Sequence, residues 1–505
     1  MRRFVLIVCA GLALGAAGCS APGTQELAQD AVQAMGGERV RNLQNYVMRG
    51  GRGSRSAIGQ QVRTGEPDVP AQLLDVEETL DLAGNRAALE YEIQTASGFS
   101  QHRQEVLTRQ GDRTVGLERV GGRPLAVMSA SGLFSWGTQN SPGMALKRSV
   151  VALALMAART VSSNRTENRL LNGRVQRFGI TSLGGDSVGF YFDPDSKLIT
   201  GFETDDTETI LGDVRAQYVL EDYRDVGGVK LPHKITIRKA GQPYADVQFA
   251  SAAVDDAEAM RVFTVPDDAS PETDRVLGFG ADYSPVRLIQ VANQVFFAQA
   301  YSHNSLIVEF PTFLAVVEAP YTEAQSKTLV KQLTMQFPRK PVRYVAVTHP
   351  HFDHVGGVRG MVARGATVIA ARAHESALRA LIDAPHSNPP DDLATNRTLG
   401  RQVGSLQTFE EKRVITEAGQ SLELYVIKGS PHVDSMVVAY VPSTHVLFQS
   451  DLFFPGTGGA STPEAEHLLK SVRSLNLRVD RNAGGHGGVN VFSELVKAVG
   501  PAGTN

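Results

Sequence analysis

The stretch "THPHFDHVGG", residues 348 to 357, decides how this chain is read. His349, His351, Asp353 and His354 fall within six positions, in a chain with 12 histidines among 505 residues. The segment "VRYVAVT", residues 342 to 348, leads into it and reads as a buried strand by its near-continuous apolar run. The cluster therefore sits on a loop at the carboxyl end of a strand, where ligands gather in α/β sheets. A His-x-His pair puts two imidazoles on one side of an extended backbone, and Asp353-His354 turns a second pair of donors back. Gly356 and Gly357 are expected to let the backbone turn sharply into the next helix. Neutral imidazole and carboxylate suit Zn²⁺, iron or manganese, with Zn²⁺ the default. The cysteines are Cys9 and Cys19, both near the N-terminus, so a metal site further on must use His, Asp or Glu.

One loop cannot complete two coordination shells, and three later segments supply the remaining donors. "KGSPHVDSM" carries His432, "HVLFQSDLFF" carries Asp451 and "NAGGHGG" carries His486, each on a loop after an apolar run. A carboxylate between two cations lowers their repulsion, and Asp451 suits that place. This set, His349-x-His351-x-Asp353-His354 followed by His432, Asp451 and His486, resembles the metallo-β-lactamase superfamily over about residues 285 to 500. The resemblance implies an αββα sandwich of two mixed sheets with two Zn²⁺ ions at one edge. It implies that His349, His351 and His432 hold one ion, that Asp353, His354 and His486 hold the other, and that Asp451 bridges. A hydroxide held between two cations is nucleophilic at neutral pH, since the pKa of bound water falls to about 7. The expected reaction is hydrolysis of an ester, thioester, lactone, amide or phosphoester in a small-molecule substrate, with Asp353 as the catalytic residue that orients the nucleophile. A bridging aspartate is carried by glyoxalase-type hydrolases, lactonases, phosphodiesterases and sulfatases of the superfamily, and generally not by its zinc β-lactamases. His303 is a candidate cleft residue, although a plain hydrogen-bonding role is the favoured reading of it, and no general acid stands out. His374, His386, His445 and His467 lack motif context and are expected at the surface or as caps.

The rest of the chain frames this site. Hydrophobic content of 42%, charged content of 20% and a net charge of −3 are ordinary for a globular protein, and without a basic stripe nothing points to nucleic acid. "MRRFVLIVCAGLALGAAGCS" has two arginines, a short apolar run and small residues before a cysteine, as in a signal peptide. Its end looks like a bacterial lipobox with Ala16 where leucine is usual, so Cys19 is either a lipid anchor at the membrane or close to a plain cleavage site. Either outcome is an exported, periplasmic protein. From about Asn45 to Phe263 the sequence reads as hairpin-rich antiparallel sheet, with turns at Gly84-Asn85 and Asp193-Pro194-Asp195-Ser196. "VVALALMAA", residues 150 to 158, reads as a buried helix or strand too short to span a membrane. "DAVQAMGGERVRNLQNYVMRGGRG" and "YRDVGGVKLPHKITI" resemble the LolA/LolB-type lipoprotein-handling fold, an antiparallel half-barrel with a hydrophobic concave face.

The organisation expected is therefore a signal peptide over 1–19, an antiparallel β-rich domain over 20–270, a linker over 271–286 and a metallo-β-lactamase-like domain over 287–503. The fold class is α+β followed by α/β. Within the last part, Thr322 caps a helix running to about Phe337, and residues 384 to 402 read as a long Pro-rich loop. Two rival functions use the same residues: an iron-dependent redox enzyme, and a lipid- or lipoprotein-binding protein with a structural metal domain.

Overall fold

The computed structural model describes residues 22–500 except 57, 62–65, 67, 96–99, 111–112, 121–125, 130–145, 147, 163–165, 266, 268–285, 301–302 and 388–389. Residues 1–19 and nearly all of the expected linker thus lie outside the described residues. A helix, Thr24–Met35, opens the described chain and is followed by a 14-stranded antiparallel sheet. Its middle strand, Asn45–Ser56, pairs with Pro70–Asp81 on one side and with Gln242–Gln248 on the other. Successive hairpins lead outward from both neighbours. The expected turns are present. Asp81 pairs with Arg86 around Gly84-Asn85, and Asn85 takes a positive φ of 51°. Asp193 Oδ1 accepts the N–H groups of Asp195 and Ser196 at 3.1 and 2.8 Å, the side-chain-closed turn that aspartate favours.

Residues 150–158 form most of a helix, Val150–Arg159, capped by Ser149 Oγ accepting from the Ala152 N–H at 3.1 Å. This helix and Thr24–Met35 lie together on the sheet. Leu27, Val32, Met35, Val151 and Leu153 share a core with Phe190, Phe202 and Tyr218 of the strands. Burying each such side chain stabilises the fold by roughly 1.5–3 kcal/mol, so this apolar face is spent on packing against the helices.

The carboxyl-terminal part has two mixed sheets. In the seven-stranded sheet, Leu314–Val317, Val342–Ala346, Thr367–Ala371 and Leu406–Phe409 run parallel, and the earlier strands are antiparallel. In the six-stranded sheet only Val446–Gln449 and Arg481–Gly484 pair in parallel. Phe297 and Val308 of the first sheet pack with Leu422, Val437 and Phe448 of the second. The helices Glu323–Gln336, Val358–Ala363 and Glu375–Asp383 contribute Leu329, Val362 and Leu378 to a second core beside the first sheet. Helices Pro463–Ser474 and Ser493–Val499 contribute Leu468 and Leu495 to a third core beside the other sheet.

Three expectations are corrected here. The segment 384–402 is not all loop, because Asp392–Thr398 is a helix. Asp391 starts it by accepting the Ala394 N–H at 2.7 Å, while its carboxylate also pairs with buried Arg359. His374 is not a surface residue: it is 2% exposed, with Nε2 on the Ser435 carbonyl at 2.7 Å, and it takes the N-cap position of Glu375–Asp383 without a side-chain cap bond. Gly356 and Gly357 have φ of −58° and −89°, which any residue adopts. They are needed for space, since a Cβ at Gly356 would lie 1.8 Å from the Tyr321 carbonyl oxygen, and one at Gly357 2.3 Å from Ser326 Oγ.

Candidate metal centre

The ligand-bearing loop leaves the strand Val342–Ala346 and closes into a single helical turn, Phe352–Val355. That turn brings Asp353 and His354 back beside His349 and His351. His432 arrives after the strand Gln420–Lys428, Asp451 after Val446–Gln449 and His486 after Arg481–Gly484, so all the sequence-derived donors converge at one edge of the paired sheets. They fall into two groups, each with donor atoms within 4.8 Å of one another: His349, His351, His432 and Asp451; and His303, Asp353, His354 and His486. His303, a cleft candidate in the sequence, therefore belongs to the second group. Its Nε2 lies 3.1 Å from Asp353 Oδ2, and its ring centroid is 3.9 Å from that of His486.

Asp451 faces both groups. Its Oδ2 lies 3.1 Å from His432 Nε2 and 3.8 Å from His349 Nε2. Its Oδ1 lies 3.0 Å from His486 Nε2 and 3.2 Å from His354 Nε2. The backbone of Asp451 has φ of 61°, as do Glu318 at 76° and Tyr321 at 58° nearby. Positive φ at non-glycine residues costs of order 1–3 kcal/mol each and concentrates at functional sites.

The electrostatics favour a cation. His351 Nδ1 is a buried nitrogen with no hydrogen-bond partner, and buried His354 Nε2 faces only the carboxylates of Asp451 at 3.2 Å and Asp353 at 3.7 Å. A buried polar atom without a partner is rare, and His351 Nδ1 lies among the donors that could hold a metal. The opposite ring atoms are engaged. His354 Nδ1 donates to Glu318 Oε2 at 2.6 Å, His351 Nε2 to the Gln61 carbonyl at 3.0 Å, and His349 Nδ1 lies 2.9 Å from Thr348 Oγ1. Each such contact leaves the other nitrogen's lone pair for a metal. Burial would push His354 down, but Asp451, Asp353 and Glu318 raise it well above the ordinary imidazole value. Three carboxylates around one imidazole thus make a field that favours positive charge there. Burial and the neighbouring His432 lower His351 to about 4, and burial with His486 lowers His303 to about 4, which favours the neutral imidazole that a metal needs. Burial would raise Asp353, yet the His354 and His303 rings hold it below the usual carboxylate range. The residues present therefore fit a divalent metal ion.

Two features were not read from the sequence. Glu318 ends the apolar strand Leu314–Val317 and is fully buried; a lone acid closing "FLAVVEAP" was the available signal. Gln60 lies some 290 residues upstream yet donates to Asp353 Oδ1 at 2.6 Å, and no sequence feature marked it. Beside the ligand loop is a cavity of about 750 Å³, walled by Ile58, Ile210 and Leu211 of the amino-terminal part and by Leu378, Leu381 and Val433 of the carboxyl-terminal part.

A cradle of histidines and aspartates at the edge of two mixed sheets is a candidate metal-binding centre. The family model of the metallo-beta-lactamase superfamily matches residues 330–486. A type 2 metallo-beta-lactamase of Bacillus sp. (strain 170) is 24% identical over 205 residues, 38% of this chain and 70% of that protein. The alkyl/aryl-sulfatase BDS1 of Saccharomyces cerevisiae is 39% identical over 59 residues, 12% of this chain and 9% of that protein. Among solved structures, a metallo-beta-lactamase from Hirschia baltica is 17% identical with a TM-score of 0.33, covering 43% of this chain and 96% of that one. The carboxyl-terminal part of the chain is a metallo-beta-lactamase superfamily domain.

Proposed function

We propose that this protein is a dinuclear metal-dependent hydrolase of the bacterial cell envelope, acting on an ester, thioester, lactone, amide or phosphoester. The observation that carries the reading is Asp451, which turns one carboxylate oxygen to each of two histidine groups. His349, His351 and His432 would hold one Zn²⁺, and Asp353, His354 and His486 the other, with His303 at the second. Ions bound there supply a Lewis acid for the substrate's acceptor oxygen and lower the pKa of water toward neutrality. The chain's own part is positional. Glu318, Thr348 and the Gln61 carbonyl set the imidazole tautomers, and Asp353 offers an oxygen that orients the attacking water. The apolar cavity beside the loop receives the substrate's non-reacting portion, which excludes bulk water from the reacting centre. The two sheets with their outer helices form the αββα sandwich that brings the ligand loops to one edge. The bridging aspartate and the absence of cysteine after Cys19 favour the hydrolase branches that carry such an aspartate over dedicated β-lactam cleavage. Export through residues 1–19 and an anchor at Cys19 belong to the same proposal.

The test is elemental analysis of residues 20–505 together with a panel of lactone, thioester, phosphodiester, sulfate-ester and β-lactam substrates. Two zinc ions per chain and activity lost in Asp353→Ala are expected. Absence of bound metal, or activity indifferent to that substitution, overturns the assignment; a single redox-active iron per chain favours the redox rival.

A further inference from the structure

The amino-terminal sheet reaches the metal centre through Ile58–Gln61, which follows the middle strand Asn45–Ser56. Three contacts fasten this segment to the ligand loop. The Gly59 carbonyl accepts the Phe352 N–H at 3.2 Å, the Gln61 carbonyl accepts from His351 Nε2 at 3.0 Å, and Gln60 Nε2 donates to Asp353 Oδ1 at 2.6 Å. Asp68 holds the segment from behind, its Oδ1 accepting the N–H groups of Gly59 and Gln60 at 2.8 and 2.9 Å. A second junction ties the same two parts of the chain. The Asp213 N–H donates to the Pro385 carbonyl at 2.6 Å, and Ser387 donates to Asp213 Oδ2 through its N–H at 2.7 Å and its hydroxyl at 2.6 Å.

These contacts sort the donor atoms of two ligands. With Oδ1 of Asp353 taken by an amide, Oδ2 is the oxygen left facing His303 and, at 3.7 Å, His354. With Nε2 of His351 donating to a carbonyl, Nδ1 is the nitrogen left for a metal. We propose that Gln60 and the Gln61 carbonyl are positioning groups of the metal centre, so that the amino-terminal sheet is a working part of the hydrolase site and not a separate binding module. This rests on the metal-centre reading above. Groups that orient metal ligands in this way typically change metal affinity or activity 10- to 100-fold when removed.

The test uses the full chain loaded with zinc and follows zinc release to a chromophoric chelator. Gln60→Met keeps the length of the side chain and loses its donor. Asp68→Ala frees the segment without touching a ligand, and Asp68→Asn keeps an acceptor. Release about 10- to 100-fold faster in Gln60→Met and Asp68→Ala is expected, with Asp68→Asn close to wild type and the melting temperature of the metal-free forms unchanged. Wild-type release rates in both variants overturn the inference while leaving the hydrolase reading intact. A faster release matched by an equal fall in metal-free melting temperature assigns the effect to folding and also overturns it. A wild-type chain that takes up no zinc overturns the inference and the reading beneath it together.

Discussion

Glu318→Gln tests the centre with the smallest change of shape. Glu318 is fully buried and its two oxygens have separate tasks: Oε1 accepts the Thr348 N–H at 2.8 Å and Oε2 accepts from His354 Nδ1 at 2.6 Å. The amide keeps the first contact through its oxygen and presents NH₂ to His354. The imidazole then accepts at Nδ1 and carries its proton on Nε2, the atom that faces Asp451 Oδ1 at 3.2 Å. That proton occupies the metal's place. The loss expected is 10- to 100-fold in affinity for added zinc, which is about 1.4–2.7 kcal/mol. Competition with a chelator of known affinity measures it, and imidazole ¹H–¹⁵N spectra read the tautomer. Because the substitution preserves volume, the metal-free protein should unfold at nearly the wild-type temperature. Wild-type zinc affinity with the His354 proton still on Nδ1 would refute the reasoning.

Other outcomes follow from the same structure. Beneath the amino-terminal sheet buried Arg148 pairs with Glu78 at 2.9 Å and also feels the buried carboxylate of Glu105; Glu78→Gln removes one of these two carboxylates and should lower stability in urea unfolding, whereas Glu78→Leu with Arg148→Met leaves Glu105 without that cation and should not restore wild-type stability. Wild-type stability in the double variant would count against Glu105 as a second partner of Arg148. Burial lowers His374 below its ordinary 6.5, so the unfolded chain binds a proton that the folded one resists, and stability is lost as pH falls below that value. The fall in unfolding free energy from pH 7.5 to 5.5 should be smaller in His374→Gln than in wild type; equal falls would remove His374 as a source. Leu381→Trp fills the cavity beside the ligand loop and should raise KM for substrates with a bulky apolar portion about tenfold, with little effect on a minimal ester; an equal effect on both would show that the cavity does not receive substrate.

The metal set was legible because coordination chemistry constrains residue type and spacing together. Two histidines separated by one residue, an Asp-His pair behind them, and single donors at the ends of later apolar strands leave few alternatives, and all seven residues converge in space. The capped helix Glu323–Gln336 and the hairpin turns at Asn85 and Asp193 were legible for a similar reason, since caps and turns are fixed by neighbours within a few residues. The segment 384–402 was misread because Asp391 is both a cap and the partner of Arg359, 32 residues earlier, and a run of prolines gave no sign of that ion pair. The burial of His374 was not legible, although its place at the start of a helix was, because burial of one polar ring depends on Ser435, 61 residues away.

What the sequence determined by itself is the ligand chemistry, the hairpin texture of the first part and the strand-helix alternation of the second, all set by patterns within a short span. Only the tertiary structure decided that His303 joins the second ligand group, that Glu318 sets the His354 tautomer, and that Gln60 and Gln61 of the distant sheet close over Asp353 and His351. A hydrogen bond has a reach of about 3 Å in space and none along the chain, so groups brought together by folding carry no mark of it in their local sequence.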